Sequence, residues 1–290
     1  MSTVQHAIGA EPASVKDANH IPPLSHPEAS EMNAEELSRF IALIESLQDA
    51  DWNLPTACTL WTVKDVVAHQ AAHVVSFISL RQFLAQQSPA LLRPYRKRGL
   101  SQLDAWNQSQ VDLRRNRTGE ELVAEIRTHA DAALRGHDSL PGLIRSLTLP
   151  LPGFDQPRSF GYLFDLIYCR DMWMHRHDIC AATSRQMPLD ATYDGRVVAL
   201  VVRDFAEKFA RAYPGRSARL RLTGPAGADY DLGAAGEPSA TVEIDAMVFC
   251  VLTSGRVTAA DTIDSQDVRL SGDVPFARET VNFSENRVMY

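Results

Sequence analysis

The chain has 290 residues, more than a single hydrophobic core commonly serves, so two domains are expected. It is 45% apolar and 22% charged, as globular proteins are, and its net charge of -7 argues against a nucleic-acid partner, because phosphate binding needs a cationic surface. No run reaches the roughly 20 apolar residues of a membrane span, so no membrane partner is expected.

Residues 1–30 are rich in Ala, Ser, Pro and His and poor in large apolar residues, which reads as a disordered tail. They lack the basic-then-apolar order of a signal peptide. From residue 31, Leu37, Ile41, Ile44 and Leu47 recur at helical spacing behind an acidic first turn. Thr62, with Asp65 three positions on, opens a second helix expected to run to about residue 86, before Pro89. The basic run Arg93-Pro94-Tyr95-Arg96-Lys97-Arg98 reads as a solvated loop between helices. Helical stretches follow at 101–116 and 120–134. Pro141, Pro150, Pro152 and Pro157 then make 140–160 a loop or an extended crossover. A last helix spans 162–182, and a four-helix bundle over 31–185 is the natural architecture.

Beyond Pro188 the pattern changes. A helix at 197–212 ends at Pro214-Gly215, and short alternating runs at 218–223, 229–232, 241–244 and 268–271 read as strands. With short helices at 247–253 and 275–283, residues 186–290 make a small α+β domain. Cys58, Cys169, Cys180 and Cys250 lie far apart with no CxxC pair, which suggests buried free thiols in a reducing cytoplasm.

The strongest chemical signal is Asp171 and His175, four apart on a helix face shared with Phe164, Tyr168 and Ile179. A carboxylate and an imidazole buried together need a partner, and either a structural hydrogen bond or a metal ion supplies one. His69 and His73 are also four apart, among small and apolar neighbours. His69 reads as a core histidine or a ligand, and His73 as a surface residue or an outer partner. Bundle cores are where ligands from separate helices converge, so His69, Asp171 and His175 form a candidate three-ligand metal site with an open position. Asp178 reads either as a helix-end residue or partner of the site or as simply exposed, and His129 and His137 as solvated. No GxSxG elbow, P-loop or GxGxxG offers a rival chemistry.

Trp61-Thr62-Val63-Lys64-Asp65-Val66-Val67-Ala68-His69 resembles the opening motif of DinB-like metal-binding bundles. The run from Asp171 through His175 to Ile179 is similar to the second motif of one branch, the mycothiol-dependent maleylpyruvate isomerase family. Residues 217–223, 241–245, 252–256 and 270–273 resemble that family's sterol-carrier-like C-terminal domain. The resemblance implies a His, Glu, His ligand set, with His69 first, His175 third, and Asp171 one methylene shorter than the usual glutamate. It also implies a divalent metal, zinc foremost, and a mycothiol-type thiol added to a small electrophile. The outcome would be cis–trans isomerisation of a maleylpyruvate-like substrate or S-transfer. Arg256 matches a family arginine implicated in activity, though a helix-end arginine pairing a surface carboxylate fits the residue equally. Two alternatives stay open: an apolar-ligand carrier with a scaffold bundle, and a metal-dependent hydrolase without thiol chemistry.

Overall fold

The computed structural model describes residues 15–151 and 153–290. They fall into two units, residues 23–188 with 289–290, and the described residues up to 22 with 189–288. Of the expected tail, residues 1–14 lie outside the described ones. The remainder has regular structure: β1 (Lys16–Asp17), a 3-10 turn, and the start of α1 (His26–Glu45). α1 begins earlier than residue 31 because Ser25 and Glu28 cap each other reciprocally, with Pro27 in the first turn.

Thr62 and Asp65 form the expected capping box ahead of α2 (Val63–Phe77). The helix expected to reach residue 86 is broken, however. α3 (Leu80–Gln86) has its own N-cap, Ser79, whose hydroxyl accepts from the Gln82 N–H. The basic run is also helical rather than a loop, lying on α4 (Pro89–Lys97) with Arg93, Arg96 and Lys97 exposed. α5 (Gln102–Asp112) and α6 (Gly119–Asp138) follow. The proline-rich stretch contains α7 (Gly142–Ser146) and a small hairpin of β2 (Thr148–Leu149) with β3 (Arg158–Ser159). A π-helical segment, Tyr162–Ile167, then runs directly into α8 (Tyr168–Ala182).

α2 is buried almost all round and packs against α5, α6 and α8. Val63, Val66 and Val67 meet Phe40 and Ile44 of α1, Leu122 and Ile126 of α6, and Ile179 of α8 in one apolar core. α6 approaches the end of α2 so closely that a Cβ on Gly136 would stand 2.1 Å from the Phe77 carbonyl oxygen, so glycine is required there. His137 is not solvated, as its sequence context suggested, but 2% exposed, with Nε2 2.9 Å from Asp165 Oδ1. These contacts pack α2 and α8 into one core, which matters because the candidate pairs His69/His73 and Asp171/His175 sit on them.

In the second unit, α9 (Tyr193–Ala212) precedes β4 (Ser217–Thr223), β5 (Asp229–Gly233) and β6 (Ala240–Asp245). α10 (Ala246–Thr253), α11 (Ala259–Asp264), β7 (Val268–Gly272) and α12 (Val274–Ser284) complete it. Among the described residues the sheet order is β1-β5-β4-β6-β7, with β4 and β6 parallel and both β4–β5 and β6–β7 antiparallel. Alternation does its work here. Ala218, Leu220 and Leu222 of β4 and Ala240, Val242 and Ile244 of β6 point inward, while Arg219 pairs across the other face with Asp231 at 2.8 and 3.1 Å. A helical bundle followed by a small α+β domain is the fold expected from the sequence. No helix among the described residues is long and apolar enough to cross a membrane.

Candidate metal centre

Four residues of spacing puts His69 and His73 one above the other on α2, and does the same for Asp171 and His175 on α8. Where the two helices meet, the Asp171 carboxylate stands among three imidazoles. Its Oδ2 is 3.3 Å from His69 Nε2 and 3.2 Å from His73 Nδ1, and its Oδ1 is 3.4 Å from His175 Nε2. Gln70 Nε2 donates to Oδ2 at 2.6 Å. One donor atom each from His69, Asp171 and His175 lies within 4.8 Å of the others, so these three residues could share a metal ion.

The outer hydrogen bonds decide which nitrogens face inward. The Ala72 carbonyl can only accept, so Gln86 Nε2 donates to it at 2.9 Å, and Gln86 Oε1 then accepts from Gln110 Nε2 at 2.7 Å. That leaves Gln110 Oε1 to accept from His69 Nδ1 at 2.8 Å. His69 Nδ1 is thus fixed as a donor, and Nε2 is the nitrogen left facing the Asp171 carboxylate. A ring nitrogen and a carboxylate facing each other in a buried space call for a proton or a metal ion between them. His175 is arranged in the same way: its Nδ1–H donates to Asp178 Oδ2 at 2.8 Å, and Nε2 faces Asp171. An imidazole fixed by a carboxylate or amide on its far nitrogen is the usual support of a metal-ligating histidine. Two nitrogens and one carboxylate suit zinc and its neighbours in the first transition series. The residues present fit a divalent metal.

Burial by itself raises Asp171, but His175 and His69 outweigh it and hold the carboxyl well below 3.8. Burial likewise lowers His175, but Asp171, Asp178 and Cys58 outweigh it and hold the imidazole well above 6.5. His73 has less support. Burial pushes it down to about 4, only partly offset by Asp171, so it is neutral near pH 7, and its Nε2 is buried without a hydrogen-bond partner. A metal binding to His175 must displace the proton that Asp171 and Asp178 hold there. Metal affinity should therefore rise with pH through and above 6.5, with release of about one proton per ion at neutral pH. Calorimetric titration in two buffers of different ionisation enthalpy measures that release.

Asp178, which the sequence left between a partner of the site and simple exposure, is fully buried and holds His175. Its spacing of three from His175 was the available signal. His73 is buried against Asp171, not at the surface. Gln110 and Gln70 were not anticipated, and Gln110 could not have been, because it reaches the site from another helix. Trp61, in the loop before α2, lies against both ligand-type histidines, with ring centroids 5.1 Å from His69 and 6.1 Å from His175. Cys58 Sγ is 3.6 Å from Asp178 Oδ2. Arg256 belongs to the other unit, half-buried just past α10, with its backbone N–H on the Val251 carbonyl. Two other groups of three donors occur among the described residues. In Cys58, His175 and Asp178 the carboxylate already accepts from His175, and in His26, His137 and Asp165 the carboxylate already pairs with both His137 and Arg145.

Residues 34–180 match the family model described as the mycothiol maleylpyruvate isomerase N-terminal domain. Two solved structures share the fold, both crystal structures of the mycothiol-dependent maleylpyruvate isomerase, one of them a histidine-to-alanine mutant. Each is 14% identical, with a TM-score of 0.57, and the match covers 90% of this chain and 98% of that one. No curated protein sequence matches the chain.

Proposed function

The chain belongs to the mycothiol maleylpyruvate isomerase family, and we propose that it is a divalent-metal enzyme that adds a low-molecular-weight thiol of the mycothiol type to a small electrophile. The observation that carries this reading is the Asp171 carboxylate set between His69 Nε2 and His175 Nε2, with the far nitrogens of both rings held by Gln110 and Asp178. His69, Asp171 and His175 are the proposed ligands, and zinc is the first metal to test. When bound, a divalent cation stabilises the thiolate over the thiol, and the thiolate is the nucleophilic form.

The remaining steps fall to the chain. Gln110 and Asp178 keep the His69 and His175 nitrogens aimed, so the ligands need no reorganisation when the thiol arrives. Phe83, Leu103, Leu163 and Ile167, which line the pocket beside Asp171, would offer the thiolate few polar groups. Attack on an activated double bond makes that bond single. Rotation and expulsion of the thiol then give the other isomer, whereas a retained thiol gives an S-conjugate. Arg256 is proposed to hold the thiol, whose polar oxygens suit the guanidinium fork. Four free thiols, three of them buried, support a reducing compartment such as the cytoplasm.

Zinc-loaded protein should isomerise maleylpyruvate, or consume it as a conjugate, only when mycothiol is present, and chelator-treated protein should do neither. Equal turnover without thiol would favour a metal-dependent hydrolase. An inactive protein that co-purifies with a lipid would favour an apolar-ligand carrier.

A further inference from the structure

Resting on the thiol-addition reading, we infer that the electrophile taken by the bundle is an uncharged, mainly apolar molecule with one hydrogen-bond-accepting oxygen, an aryl enone in type, rather than a small dicarboxylate. His69, His73 and Asp171 open into a pocket walled by Phe83, Leu103, Leu151, Phe154, Leu163 and Ile167. No lysine or arginine is among the described residues that line it, and Asp171 is its single acid. Arg170 lies close in sequence but is fully buried, with its guanidinium against the Tyr290 ring. Asp171 and the thiolate would together neutralise a divalent ion, so a further carboxylate entering such a space gives up its hydration and meets no lysine or arginine in these walls.

Two polar groups of the described lining lack a hydrogen-bond partner, His73 Nε2 and the Trp106 indole, and of these the indole is the fixed donor. Trp106 lines the pocket, and its indole Nε1–H is buried with no hydrogen-bond partner. An indole N–H only donates, so it requires an acceptor such as a carbonyl oxygen. The chemistry then closes. The thiolate sulfur forms a bond to the β-carbon, the C=C pair shifts to give an enolate, and the proton lost by the thiol ends on the α-carbon. Reversal after rotation returns both thiol and proton and leaves the isomer, so no oxidant or reductant enters. The Trp106 donor would strengthen as charge grows on the enolate oxygen, the condition for a contribution to rate.

Two measurements test this. In calorimetry on the purified full chain, benzylacetone, an unreactive aryl ketone, should bind and succinate should not. With zinc and mycothiol, kcat/KM for cis-benzylideneacetone should exceed that for maleylpyruvate by about tenfold or more. Trp106→Phe, which keeps the ring and drops the donor, should lower the enone value by about a hundredfold while metal content stays unchanged. Preference for succinate and maleylpyruvate would overturn the inference and leave the thiol reading standing. Tight benzylacetone binding without thiol consumption by either electrophile would overturn the thiol reading and keep the pocket's ligand class.

Discussion

Glu36→Ala should lower the stability of the bundle by about 3–5 kcal/mol, the usual cost of removing one partner of a buried ion pair. Glu36 on α1 is 1% exposed and Arg176 on α8 is 3% exposed. They meet in a fork, Nε to Oε1 at 2.9 Å and a terminal nitrogen to Oε2 at 3.2 Å. Truncating the glutamate leaves the guanidinium in the interior with its main counter-charge gone, next to the His175 that α8 must position. The pair itself need not be strongly stabilising, because its desolvation offsets much of its attraction. A double change to Glu36→Met with Arg176→Met should therefore recover most of the loss. Urea unfolding followed by tryptophan emission measures it cleanly, since Trp52, Trp61, Trp106 and Trp173 all lie in the bundle unit. A loss below about 1 kcal/mol for the single variant would show that the pair is solvated and not buried.

Asp178→Ala should weaken metal binding by roughly 10–100-fold without removing a ligand. Asp178 holds the proton of His175 on Nδ1 and so presents Nε2 to the site. Without that acceptor the ring loses both its tautomer and its orientation, and a carboxylate-sized gap opens beside Cys58. Asp178→Asn should cost less, because the amide oxygen still accepts the Nδ1–H while the negative charge is lost. A competition assay with a chromophoric zinc chelator separates the three proteins. Equal affinity for all of them would mean that His175 is oriented by packing alone.

Much of this arrangement could be read from residue spacing. The Thr62 and Asp65 box, the i, i+4 pairs on α2 and α8, and the alternating strands β4 to β6 are local signals. Local patterns survive folding when tertiary context agrees with them. What escaped had one of two causes. Ser25 and Glu28 form a capping box, but they sit in a segment whose composition resembles a tail. Ser79 likewise caps a new helix within a run periodic enough to read as one. The second cause is distance along the chain. Gln110 reaches His69 from α5, and His137 meets Asp165 across two helices, contacts no periodicity encodes. His137 shows the risk of judging a histidine by charged neighbours in sequence, because the face of α6 it occupies is the buried one. Asp171 was the weakest of the proposed ligands on sequence grounds, being one methylene shorter than the glutamate the resemblance implies. The structure brings it into the middle of the histidines, with Oδ1 and Oδ2 facing different imidazoles.

The most direct test of the proposed centre is the zinc content and zinc affinity of the purified protein and of its His69→Ala, Asp171→Ala and His175→Ala variants, each checked for intact helical circular dichroism. Three converging donors require that every one of these substitutions reduce zinc binding by more than the roughly 10–100-fold that loss of an outer hydrogen-bond partner costs. Folded His175→Ala protein that binds zinc as the unaltered chain does would contradict the account at its centre.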